Sequence, residues 1–358
     1  MPVGVFMKKI VLLALAFMAA SSFGAFAKAK TVTVESLNGK NEKTSLEVPY
    51  NPKRLAILDL AALDILDNLG LGDRITGCAT TSIDYLSSYS PDKNKKIKNI
   101  GNIKSPDMEA VFECEPDLIF IGGRLATKYD ELSKIAPVIY LATDMNIGLV
   151  ESVKKNSLII ASIFGKESEV SKKFSGFETR ISELKAKAGG QTAILGMVTS
   201  GSCNLLGNTG RLNIITREIG FKNIGANLSK GNDPAARGSQ GGKGGRGGNS
   251  GREGKGSRGG REGLSVQEAA SQAHGEESSF ELIAKLNPAY IFVLDRDSAI
   301  GTNGAKLAKD IMDNEIVAMT DAAKNGKLVI LSYPAVWYTA EGGITALDYM
   351  LKDLEAHI

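Results

Sequence analysis

Three arginines stand where an α/β chain places its ligand contacts. Arg124 follows the apolar run 118–121 and Arg296 the run 290–294, so both lie just beyond the carboxyl ends of expected parallel strands, where open α/β sheets bind ligands. Arg211 follows Gly210 at the start of a helical stretch, whose amide N–H groups and dipole also favour anions. Arginine stays charged at any physiological pH, and its planar fork both hydrogen-bonds anionic oxygens and stacks on rings. The chemistry this set points to is capture of an anion. The plainer role for each is pairing with a neighbouring carboxylate, and Arg296, between Asp295 and Asp297, is the most open to it. Catalysis has little material: the chain has two histidines and no G-x-S-x-G, H-E-x-x-H or Walker motif. Cys78, Cys114 and Cys203 are odd in number and widely spaced, which argues against a disulfide framework or zinc site. Buried free thiols are the preferred reading, although an oxidising compartment would also permit a Cys78–Cys114 bridge.

Two lobes must position these residues. A chain of 358 residues exceeds what one hydrophobic core usually supports. Short apolar runs at 54–58, 75–79, 118–121 and 138–141, then 193–198, 290–294 and 328–331, alternate with helical patterns. That order predicts two parallel sheets flanked by helices. Between the groups, 149–188 carries apolar residues at helical spacing, interrupted by Gly165, and its second half is the candidate for a rigid joining helix. The expected organisation is an N-terminal lobe over 28–148, helices over 149–188 and a C-terminal lobe over 189–358. An internal repeat supports the two lobes: Glu109, Pro116 and Phe120 recur in order and spacing as Glu281, Pro288 and Phe292.

Two further segments stand apart. Lys8 and Lys9, the apolar run 10–20 and Ala25-Phe26-Ala27 read as a cleavable secretory signal over 1–27, with no cysteine near the cleavage point for a lipid anchor. A segment of about 229–265 is dominated by Gly, Ser, Arg and Lys and has nothing large enough to seed a core, so it is expected to be a disordered insert in the second lobe. Its seven Lys/Arg against two Glu over 237–263, with the two leader lysines, more than account for the net +3; the remainder is acidic at −4. The RGG-like runs suit single-stranded nucleic acid elsewhere, but they lack aromatic residues for stacking and a secreted chain meets little RNA. No nucleic-acid partner is expected.

Pro52-Lys53-Arg54, the stretch from Glu109 through Pro116 to Gly123-Arg124, Tyr290 to Arg296, and Val336-Trp337-Tyr338 together resemble the periplasmic ferric-siderophore-binding proteins of ABC importers, specifically the enterochelin-binding branch. The resemblance runs through nearly the whole mature chain except the insert. It implies a class III periplasmic binding protein: two α/β lobes joined by one long helix, monomeric, with limited hinge motion, no enzymatic activity and no intrinsic cofactor. It places Arg124, Arg211 and Arg296 in the cleft, where three guanidiniums suit a ferric tris-catecholate of three negative charges. It also implies His274 and Tyr338 as iron ligands for a tetradentate siderophore, whose octahedral Fe(III) has two positions left. Trp337 is expected beside the ligand. Glu109 and Glu281, one per lobe, would dock arginines of the membrane permease; a carboxylate at a helix start is favoured by the dipole in any case. His357 reads as an ordinary structural or solvated residue.

Haem or cobalamin receptors share the expected fold and are the runner-up; they would need an axial Tyr338 or an aromatic slot but not three arginines. A zinc or manganese receptor needs several His or carboxylate ligands, and only His274 is placed for it.

Overall fold

The computed structural model describes residues 30–228 and 279–358. The expected signal segment, the Gly-rich insert and His274 lie outside the described residues. The chain opens with a two-stranded sheet of β1 (Thr31–Leu37) and β2 (Lys43–Pro49). The N-terminal lobe is then built on five parallel strands in the order β5-β4-β3-β8-β9: β3 (Leu55–Leu58), β4 (Ile75–Cys78), β5 (Lys98–Asn99), β8 (Leu118–Ile121) and β9 (Val138–Tyr140). A small antiparallel pair, β6 (Gly101–Asn102) and β7 (Ser105–Pro106), lies beside it in sequence. All four residues of β3 and of β8 are buried. That is why these strands read as unbroken apolar runs: helices cover both faces of a parallel sheet.

The C-terminal lobe carries β10 (Thr192–Thr199), β11 (Ser202–Leu205), β12 (Lys222–Asn223), β13 (Tyr290–Asp295) and β14 (Leu328–Ile330), in the order β11-β10-β13-β14 with β12 also on β10. The expected parallel pairing holds for three of its four strand pairs, and the fourth adds an antiparallel edge. β11 folds back antiparallel on β10 through a tight turn at Ser200 and Gly201, both at positive φ, whereas β12, β13 and β14 pair parallel. Ser202-Cys203-Asn204-Leu205 is half polar, which hid it as a strand.

The helices that accompany these sheets include α1 (Leu60–Asn68), α2 (Met108–Glu113), α3 (Leu149–Phe164), α4 (Glu167–Ala188), α5 (Asn213–Arg217), α6 (Ser279–Leu286), α7 (Arg296–Ala299), α8 (Pro334–Thr339) and α9 (Ile344–Glu355). Gly165 ends α3 in the left-handed region at φ 68, a conformation that costs glycine little, and α4 runs 22 residues from there. At 1.5 Å per residue α4 is about 33 Å long, the length of a small domain.

The internal repeat extends to the backbone. α2 leads into β8 and α6 into β13, and in both the residue before the proline takes φ 43: Glu115 before Pro116 and Asn287 before Pro288. Proline disfavours the helical region for the residue before it, so each helix ends there. Arg124 and Arg296 then fall at the same offset beyond Glu109 and Glu281. Two of the sequence motifs are each other's partners: Arg54 donates to Asp117 (3.1 Å) and Glu115 (3.2 Å), while the amides of Lys53 and Arg54 donate to Asp117. The cysteines are free and buried. Burial pushes the Cys78 and Cys203 thiols up to about 12, so neither is a reactive thiolate at neutral pH.

Candidate functional site: a cleft between two sheet ends

In each sheet the strand order reverses once, between β3 and β8 and between β10 and β13. Loops leaving the two strands diverge at such a point and open a crevice beyond the carboxyl ends. In the first lobe, Asp59 follows β3 and Arg124 follows β8. Asp59 caps α1 by accepting the Ala62 N–H at 3.0 Å. Desolvation pushes its carboxyl up to about 6, against the pull of that capping bond and of the Arg124 charge. Gly122 lets the carboxylate approach the β8 turn: a Cβ there would meet the Asp59 oxygen at 2.6 Å. Arg124, two residues on, is exposed.

In the second lobe Arg296 opens α7 directly from β13, and its Nε donates to the Tyr338 hydroxyl at 3.0 Å while a terminal nitrogen lies 3.4 Å from Asp297. Asp297 in turn accepts the Ser200 N–H at 2.6 Å, tying Arg296 to the β10 turn across the switch point. Tyr338 sits near the end of α8 between two guanidiniums, with the Arg211 carbon 4.0 Å and the Arg296 carbon 5.6 Å from its ring centre. Arg211 is only 6% exposed, which differs from a side chain reaching for ligand. Its guanidinium donates to the Tyr338 carbonyl at 2.7 Å and lies 3.7 Å from Glu341. Carbonyls in the last turn of a helix lack intrahelical partners, and a cation is the favoured one. α5, the helix beside Arg211, has five residues and begins after it.

One cleft of about 1150 Å³ is lined by Asp59, Arg124, Arg211, Arg296, Tyr338 and Glu341 together with lysines of the β1–β2 region. Its lining holds seven Lys/Arg against five Asp/Glu, so the cleft is net cationic although much of its charge is paired.

The remaining expected residues lie elsewhere. Trp337 requires a correction: it is 1% exposed, is not among the cleft-lining residues, and its indole donates to Asp353 at 2.9 Å. Neighbouring side chains on a helix point about 100° apart, so Tyr338 in the cleft turns Trp337 into the core. Glu109 in the first turn of α2 and Glu281 in that of α6 are both exposed. Asp59 and Glu341 escaped the sequence reading. Asp59 could have been found by the criterion that selected Arg124, since it directly follows an apolar run; Glu341 carries no such signal. Among the described residues no cluster of three or more His, Cys, Asp or Glu is arranged to hold a metal ion.

The model of the periplasmic binding protein family matches residues 55–239. The petrobactin-binding protein YclQ of Bacillus subtilis (strain 168) is 30% identical over 94% of this chain and 90% of its own, and its crystal structure superposes with a TM-score of 0.71. The ferric-anguibactin-binding protein FatB of Vibrio anguillarum is 25% identical over 86% of this chain and 83% of its own. The periplasmic catecholate-siderophore-binding protein VctP of Vibrio cholerae is 26% identical, with a TM-score of 0.69 covering 91% of this chain and all of that one. With one parallel and one mostly parallel sheet facing a charged cleft and a 22-residue helix between them, the chain belongs to the periplasmic binding protein family, whose members bind solutes rather than transform them.

Proposed function

We propose that this protein captures a ferric catecholate siderophore in the cleft and delivers it to the permease of an ABC importer, as a monomer in the periplasm. The observation that carries the reading is the meeting of Arg124 from one lobe with Arg296 and the guanidinium-flanked Tyr338 from the other on one net-cationic cleft. Relatives that bind petrobactin, ferric anguibactin and catecholate siderophores support it.

In this reading Arg124 and Arg296 face the anionic catecholate oxygens, and Arg211 holds Tyr338 in place from behind. Fe(III) is a hard ion suited to phenolate oxygen. A tetradentate bis-catecholate leaves two positions, which the Tyr338 oxygen and His274 fill; a hexadentate ligand needs neither. The Arg296 Nε, already bonded to the phenol oxygen, stays beside it when iron arrives and offsets the charge that develops there. Glu109 and Glu281, at repeat-equivalent positions of the two lobes, dock basic residues of the permease.

The test is titration of the purified protein with ferric bis- and tris-catecholates, a ferric hydroxamate, haem and cobalamin. Quenching of Trp337 with retention of the catecholate-to-iron charge-transfer band is expected for the catecholates alone. A Soret band, or tighter binding of the hydroxamate, would refute the proposed ligand class.

A further inference from the structure

α9 is gripped at three places by three parts of the molecule. At its N-terminus, Asp64 of α1 accepts the amides of Thr345 (2.8 Å) and Ala346 (2.9 Å), and the Tyr85 hydroxyl donates to the same carboxylate at 2.6 Å. Asn68, one turn along α1, donates to the Thr345 hydroxyl. A helix leaves its first amides without intrahelical partners, and a side chain at the N-cap usually supplies the acceptor. Here the N-cap is Gly343, and the acceptor comes from the other lobe. A Cβ on Gly343 would collide with that carboxylate, so the bare backbone is what admits it. In the middle and at the far end, Arg180 of α4 reaches Asp348 (2.6 Å) and Glu355 (2.6 Å). Asp353, also near the far end, accepts the Trp337 indole N–H at 2.9 Å and the Ser332 amide at 2.8 Å.

Both ends of this arrangement lead to the cleft. Asp64 lies on the helix that Asp59 caps, so the pin and the Asp59–Arg124 wall share one rigid element. Trp337 is the chain neighbour of Tyr338 on α8, facing α9 while Tyr338 faces the cleft. Between Tyr338 and the pinned Thr345 there are only six residues, among them Gly342, whose backbone packs on Ala61 of α1. Asp64 is fully buried, and a carboxylate tolerates such a site only when its oxygens are hydrogen-bonded. Its partners lie on α9 and beside it, none of them in the cleft lining.

We propose that α9 is a strut between the lobes and that Asp64 and Trp337 are positioning residues which, through it, set the distance of the Tyr338 wall from the Asp59–Arg124 wall. α4 fixes one side of the interlobe geometry and α9 the other, and this double connection limits the hinge. The effect on affinity rests on the proposed function of the cleft; the effect on lobe separation does not.

The test uses spin labels at Asp130→Cys in the first lobe and Lys309→Cys in the second, both exposed positions, in a chain whose native cysteines are buried. Pulsed dipolar spectroscopy of the ligand-free protein reads the interlobe distance in wild type, Asp64→Ala and Trp337→Phe. The phenylalanine keeps most of the packing but removes the N–H donor, so it answers the question even if Asp64→Ala does not fold. A single narrow distance is expected in wild type and a broadened distribution in each folded variant. If the geometry competent for binding falls to about a tenth of the population, the apparent Kd for a tetradentate ferric bis-catecholate rises about tenfold. Unchanged distance distributions in a variant that is folded and thermally destabilised would overturn the proposal and make α9 a packing element. Broadened distributions in a protein that binds no ferric siderophore would uphold the strut and remove the proposed ligand.

Discussion

Tyr338→Phe is the perturbation that separates iron ligation from general anion capture. It deletes one oxygen and leaves the ring, so the Arg211 stack at 4.0 Å and the Arg211 bond to the Tyr338 carbonyl at 2.7 Å both survive. The free protein loses only the half-buried bond from Arg296 Nε, and Arg296 keeps Asp297 as a partner. A hydrogen bond to a charged group contributes about 1.5 to 3 kcal/mol. An iron–phenolate bond contributes at least as much, so a siderophore that uses the phenolate should bind on the order of ten- to a hundredfold more weakly. A hexadentate tris-catecholate fills every iron position itself and should lose only a few-fold. The assay is equilibrium titration of both ferric complexes against wild type and variant, followed by quenching of Trp337. Trp337 is the only tryptophan, and although buried it adjoins Tyr338, within energy-transfer range of a strongly absorbing complex in the cleft. Equal losses for the two ligands would refute ligation by Tyr338 and leave the arginines as the recognition element.

Other expected outcomes follow from the same geometry. Glu109→Ala and Glu281→Ala should leave soluble-phase affinity nearly unchanged, because exposed carboxylates outside the cleft lining contribute little there, while iron uptake in cells falls; a substantial loss of affinity would contradict the docking role. Gly122→Ala drives a methyl to 2.6 Å from the Asp59 oxygen, and the resulting strain should cost about 1 to 3 kcal/mol in urea denaturation and weaken ligand binding as the Arg124 turn shifts. Burial raises the Asp64 carboxyl from 3.8 to about 6, against the Tyr85, Thr345 and Ala346 hydrogen bonds. The folded state therefore holds this proton more tightly than the unfolded one between about pH 4 and pH 6, and stability from this group falls as pH rises through that window and is level above it. The margin of wild type over Asp64→Asn, measured by denaturation across pH 4 to 7, should accordingly shrink with rising pH; a margin that grows would refute the reasoning.

Much of the fold was legible because burial on both faces writes a parallel strand as an apolar run, as in Leu55–Leu58 and Leu118–Ile121, both found within a residue. Proline and glycine wrote the boundaries: Gly165 ends α3, and Pro116 and Pro288 mark the repeat that carries Arg124 and Arg296 to the cleft. Tertiary structure alone decided how each candidate side chain is used. Trp337 and Tyr338 are adjacent in sequence, yet helix rotation sends one to Asp353 and the other to the cleft. Arg211 reads as an anion contact at a helix start in one dimension and becomes a clamp only when the end of α8 and Glu341 fold against it. Asp64 is an unremarked acid in an apolar helix until the first amides of α9, some 280 residues away, arrive to share it. Periodicity and punctuation are local properties, fixed by the backbone and by solvent, and a single chain states them directly. The partner of a charge is set by which distant segments pack together, and no local pattern encodes it.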